Sequence, residues 1–219
     1  MAVLLDHAIS ARGLARRART RGQPRDHRDR ATLRAVRLQP VAVPGPEGRA
    51  IQLRSPTQAD AAAMLAFLRE LVQESSEYLE VPVEQFEAES VESQAARLAR
   101  AEAHGHEFYL AAFDDDRVVG NLLFQGLDAS ISRHCGQLAM GVLQSHQGLG
   151  LASALLRRCI DEAATLGRWN IRFTVRTYNH RAIALYERHG FRRVGRLESV
   201  AQVGESYVDE FLYQGLFGR

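Results

Sequence analysis

The stretch Leu138–Leu156, LAMGVLQSHQGLGLASALL, constrains the fold more than any other part of this chain. Leu138–Leu143 is an uncharged apolar run of strand length. Past Gln147-Gly148-Leu149-Gly150-Leu151-Ala152, apolar residues recur at Ala152, Leu155, Leu156, Cys159, Ile160 and Ala163, the spacing of one helix face. Strand and helix are thus joined by a short loop with two glycines, which let the backbone turn tightly and leave its amides uncovered. Such amides, at the positive end of a helix, make a site for a phosphate or pyrophosphate. Tight packing alone also produces turns of this kind. The loop is not a Walker loop, because Gly-Lys-Ser/Thr is missing and the chain contains no lysine. It also lacks the three spaced glycines of a dinucleotide fingerprint.

Gln147, Gly150 and Ala152 fit the pattern Gln/Arg-x-x-Gly-x-Gly/Ala. Downstream, Asn179, Ala182, Tyr186, Gly190 and Phe191 fit Asn-x-x-Ala-x-x-x-Tyr-x-x-x-Gly-Phe. With both motifs in this order, the chain resembles the GNAT superfamily of N-acetyltransferases over about residues 51–217. Its central region looks most like the amino-acid, phosphinothricin and ribosomal-protein N-terminal acetyltransferase branch. The resemblance implies an α/β (α+β) fold: a mixed, mostly antiparallel sheet flanked by helices, with central strands splayed to hold acetyl-CoA.

It also implies roles for residues. The pyrophosphate falls to Gln147, Gly148, Leu149, Gly150, Leu151 and Ala152, and the pantetheine arm to Met140, Val142 and Leu143. The backbone amide of Val142 or Leu143 would face the thioester oxygen. Asn179 would bond the cofactor arm, and it also suits a helix cap. Tyr186 stands where relatives place the acid that protonates the departing thiolate; packing alone is its other reading. Arg176 and Arg181 could reach the phosphates. Relatives often carry a basic glutamate where this chain has Gln137, which cannot take a proton. Glu77 and His134 are the candidate bases, with Glu74 and Tyr78 beside Glu77 in the loop over the acceptor. The expected acceptor is a primary amine of a small molecule or peptide N-terminus. A non-catalytic acyl-CoA-binding sensor or interaction module is the alternative, supported by the missing base.

Charge is divided unevenly. Residues 1–50 hold eleven arginines against Asp6, Asp26, Asp29 and Glu47, a balance of +7 within a total of +2. The remainder is mildly acidic at −5, so nucleic acid is not an expected partner. Residues 1–50 read as an Arg-rich disordered extension closed by the Pro-Gly linker 44–48, and residues 51–219 as the domain. No apolar run reaches bilayer length. Two cysteines, Cys135 and Cys159, make no disulfide framework and suit a cytoplasmic protein. No metal is expected, because Asp114-Asp115-Asp116 reads as a solvated hairpin turn. A homodimer is compatible with the sequence.

The elements expected in order are a strand at 51–54 and a helix buried through Met64, Leu65, Leu68, Leu71 and Val72. A polar loop over Glu74–Val81 follows, then a helix from Pro82 to about His104 with Phe86, Val91 and Leu98 inward. Strands at 107–113, 117–124 and 136–143 precede the loop helix, which Gly167 ends. A strand at 171–177, a helix at 179–189 and a hairpin turning at Gly204 complete the chain.

Overall fold

The computed structural model describes residues 36–78, 86–127 and 130–218. One eight-stranded sheet runs through it. The strands are β1 (Val41–Pro44), β2 (Ala50–Arg54), β3 (Glu107–Asp114), β4 (Arg117–Gly126), β5 (Cys135–Val142), β6 (Asn170–Arg176), β7 (Arg192–Val203) and β8 (Ser206–Leu216). The helices are α1 (Ala61–Ser75), α2 (Val91–Ala103), α3 (Leu151–Thr165) and α4 (His180–Arg188). Strand order is β1-β2-β3-β4-β5-β6-β8-β7, antiparallel throughout except for β5–β6.

Alternation along β3, β4 and β5 supplies two apolar faces. Phe108, Leu110, Leu122, Phe124, Leu138 and Met140 pack against Leu155, Leu156 and Cys159 of α3. Tyr109, Ala111, Phe113 and Leu123 pack against Met64, Phe67, Leu68 and Leu71 of α1 and Leu98 of α2. The chain enters α1 through a turn in which Asp60 accepts from Thr57 N–H at 2.7 Å and from both Arg54 guanidinium nitrogens at 2.8 Å. The Arg54 hydrogen bonds hold the Asp60 carboxyl at a pKa of about 2.

Three expectations need correction. The domain does not begin at Ile51: Val41–Pro44 pairs antiparallel with Ala50–Leu53, and Val36 and Leu38 are buried in the core. Leu38 N–H also donates to Ser55 Oγ at 3.0 Å. The Pro-Gly stretch 44–48 is therefore a hairpin turn inside the fold, and residues 1–35 lie outside the described residues. Second, Val91 is 42 % exposed. The buried stripe of α2 is Gln94, Leu98 and Ala101, set by the Ser90 cap that accepts from Ser93 N–H. Pro82 lies outside the described residues. Third, Asp114 is not a solvated turn residue, because His146 and Arg49 enclose it at 3.1 and 3.2 Å.

A chain shortened to begin at Gly48 should accordingly be destabilised. It loses Val36, Leu38 and β1 and uncovers Ile51 and Leu53. Two buried side chains contribute about 1.5–3 kcal/mol each, so the melting temperature should fall on the order of 10 °C. An unchanged melting temperature would show that β1 contributes nothing to stability.

Candidate functional site

The site begins in the hydrogen-bond phase of β5. Leu143 N–H donates to Val119 O and Leu127 N–H to Cys135 O, both at 3.0 Å. Hydrogen-bonded residues alternate along an antiparallel ladder. Cys135, Gln137, Ala139, Gly141 and Leu143 therefore direct their backbone groups to β4. Met140 and Val142 turn theirs the other way, toward β6. But β6 pairs with β5 only over Cys135–Gln137, while its length is otherwise matched to β8. Beyond Gln137 the two strands separate, and the N–H groups of Met140 and Val142 face the gap.

The gap is the floor of a cleft of about 910 Å³. At one end lies the loop into α3. Gly148 and Gly150 have φ of +84° and +79°, left-handed values that favour glycine. Gly150 caps α3, so the N–H groups of Leu151, Ala152 and Ser153 open the helix without intrahelical acceptors. Gln147 Nε2 donates to Val142 O at 2.9 Å, and Gln147 Oε1 accepts from Arg181. This side chain ties the loop, the end of β5 and α4 together. From behind, the buried His146 bonds Asp114 Oδ2 and Ser145 Oγ, anchoring the loop to the β3–β4 turn.

One wall is α4. Asn179 Oδ1 caps it by accepting from Ala182 N–H at 3.1 Å. Tyr186 is 1 % exposed and lies 4.2 Å from Phe173 between ring centroids, yet it lines the cleft. Burial alone pushes its phenol up from the ordinary value, so it stays protonated at neutral pH. The opposite end is acidic. Glu74, Glu77 and Tyr78, from the end of α1 and the turn after it, line the cleft there. Glu74 Oε2 accepts from Gln144 N–H at 2.8 Å, and Glu77 O accepts from Tyr178 hydroxyl at 2.6 Å.

The acetyltransferase (GNAT) family profile matches residues 66–191, more than half of the chain and the span that builds this cleft. The chain belongs to the GNAT acetyltransferase family. A GNAT acetyltransferase from Streptococcus pneumoniae superposes with a TM-score of 0.72 at 26% identity, covering 77% of this chain and 99% of that one. A ribosomal-protein-alanine N-acetyltransferase from Brucella melitensis gives a TM-score of 0.65 at 23% identity, covering 75% and 99%. A Salmonella typhimurium protein described as an acetyltransferase, solved with its cofactor acetyl-CoA, gives 0.62 at 23%, covering 78% and 95%. No curated protein matches in sequence.

Within this GNAT domain one cleft is lined by Glu77, Met140, Val142, Gln147, Gly148, Gly150, Leu151, Ala152, Asn179, Arg181 and Tyr186. Four candidates stand elsewhere. The Leu143 amide is already bonded to Val119 O, and its side chain is buried under α1. Leu149 turns outward and lines a separate cavity against β1. His134 stacks on Trp169 at 4.6 Å, at the far end of β5, and does not line the cleft. Arg176 is buried in an ion pair with Glu210, which directs it away from phosphate duty. Among the described residues, no cluster of His, Cys, Asp or Glu could hold a metal. Among the described residues, no helix is long and apolar enough to cross a membrane. Sequence reasoning missed Gln94 and Asn121, both buried polar residues. Gln94 interrupts the i, i+4, i+7 apolar stripe of α2, which was the available signal.

Proposed function

We propose that the protein transfers an acetyl group from acetyl-CoA to a primary amine of a small molecule or peptide N-terminus, by direct attack in a ternary complex. The observation that carries this reading is the inward-facing N–H of Val142, on a strand that has parted from β6 between a helix N-terminus and an acidic mouth. Acetyl-CoA supplies the acyl group, already activated as a thioester. The amides opening α3 hold its pyrophosphate. Met140 N–H bonds the pantetheine arm as an added strand would. Val142 N–H points at the acyl oxygen and stabilises the negative charge that develops there during attack. Glu74 and Glu77 draw the amine to the mouth, and Glu77 takes its proton directly or through water. As the C–N bond forms and the C–S bond breaks, Tyr186 donates its hydroxyl proton to the leaving sulfur and recovers one from solvent. An amine acceptor is also what the name of the ribosomal-protein-alanine relative describes.

Thiol release from acetyl-CoA, measured against a panel of amines and peptides, tests the reading. Turnover with at least one primary amine is expected. Tight acetyl-CoA binding with no turnover on any amine would leave an acyl-CoA sensor instead.

A further inference from the structure

A second, much smaller space lies on the other side of β5. A cavity of about 30 Å³ sits between the sheet and the α1–α2 pair. Its apolar walls are Phe67, Leu68, Leu71 and Leu123. Its polar side chains are Gln94 and Arg97 on α2, Tyr109 on β3 and Asn121 on β4. Gln94 is 0 % exposed, and neither its Nε2 nor its Oε1 has a partner among the described residues. Asn121 is 9 % exposed, and its Oδ1 is likewise unpartnered. Buried amide atoms left without hydrogen bonds cost about 1–3 kcal/mol each, so a site holding three of them is built for something that bonds them.

The placement says where that something comes from. Asn121 is directly across the ladder from Gly141, and the missing side chain of Gly141 leaves room beside it. Met140 and Gly141 line both this cavity and the cleft, so the two spaces adjoin one residue from the Val142 amide. A substituent a bond or two from the attacking nitrogen would reach it. Its charge is balanced: Arg97, the charged lining residue, is paired with Glu89 at 2.6 Å. Neither a carboxylate nor an ammonium group would find a counter-ion there, and either would be desolvated at a cost of several kcal/mol. The volume admits about one or two waters, or a group of a few heavy atoms. The free atoms comprise one N–H₂ donor and two carbonyl acceptors, which suit a group that both donates and accepts.

We propose that this cavity is the acceptor's side-chain subsite and selects primary amines whose side chain, on the carbon that bears the amine, carries a small neutral hydrogen-bonding group, a hydroxyl or a carboxamide. The proposal rests on the acetyl-transfer reading and narrows its substrate class. Threonine amide and valine amide separate polarity from size, because their side chains are isosteric. With the full chain, kcat/KM should favour threonine amide on the order of 10²-fold, less than the 10⁴-fold of a fully committed site because water can replace the missing hydroxyl. The pair Ser-Ala-Ala and Ala-Ala-Ala extends the same comparison to peptide N-termini. In Gln94→Met, which keeps side-chain length, the preference should shrink to a few-fold while acetyl-CoA affinity is unchanged. Equilibrium binding of both amides to the CoA complex repeats the comparison without requiring turnover. Should every amine fail to turn over, the transfer reading falls, and binding still decides the subsite. Equal kcat/KM and equal affinity for the two amides, or a preference for lysine or aspartate amide, would overturn the subsite and leave acetyl transfer intact. Should Gln94→Met fail to fold, the wild-type comparison is decisive alone.

Discussion

Tyr186→Phe is expected to lower single-turnover acetyl transfer by about 10²–10⁴-fold, the usual range for loss of a positioned general acid. The substitution keeps the ring that packs on Phe173, Phe191 and Tyr213. Stability should therefore move by less than about 1 kcal/mol. Acetyl-CoA affinity should hold, because the loop amides and the Met140 and Val142 N–H groups are untouched. A loss confined to turnover identifies an interaction made in the transition state and not in the bound complex. The pH profile adds a second readout. Burial raises the Tyr186 phenol above its ordinary value, so it remains protonated below about pH 10 and contributes no descending limb there. The rate should rise with pH as the acceptor amine loses its proton, and Tyr186→Phe should lower this curve without moving it. Unchanged single-turnover and steady-state rates would make Tyr186 a core residue only, with solvent protonating the thiolate.

Gly150→Glu is expected to weaken acetyl-CoA binding on the order of 10²-fold, or about 2.7 kcal/mol. Two effects combine. Gly150 has φ +79°, so any side chain there carries left-handed strain of about 1–3 kcal/mol. Its Cβ would meet no atom within 4 Å, so the fold tolerates the bulk. The carboxylate, however, would occupy the helix N-terminus proposed for the pyrophosphate, exchanging attraction for repulsion. Gly150→Ala carries the strain without the charge and should lose far less affinity. Calorimetric titration of acetyl-CoA into both variants separates the two terms. Wild-type affinity in Gly150→Glu would remove the loop from the phosphate site.

Much of this was legible because it is local. The α3 stripe, the glycines at 148 and 150 and the Asn179 cap each depend on residues within a turn or two, and neighbours in sequence reveal them. β1 was not legible. Val41-Ala42-Val43 is flanked by Pro40 and Pro44, and nothing in four residues distinguishes a strand from a linker. Its reason for being extended is β2, whose open edge it covers. Asp114 misled for a similar reason. An acidic run at a turn is ordinarily solvated, and the buried partner that draws this one inward, His146, comes thirty-two residues later.

Spacing alone thus determined the strand–loop–helix unit and the closing helix, and the residues within them carried the resemblance to a family. The chemistry inside the cleft was decided elsewhere. Whether Val142 or Leu143 offers a free amide depends on the phase of the β4–β5 ladder, and a shift of one residue would exchange their roles. Whether Gln94 is a surface glutamine or the wall of a subsite depends on how α2 is rotated against β4. Periodicity records which residues share a face. It carries no record of which hydrogen bonds that face has left unmade, because those partners are supplied only when distant segments pack.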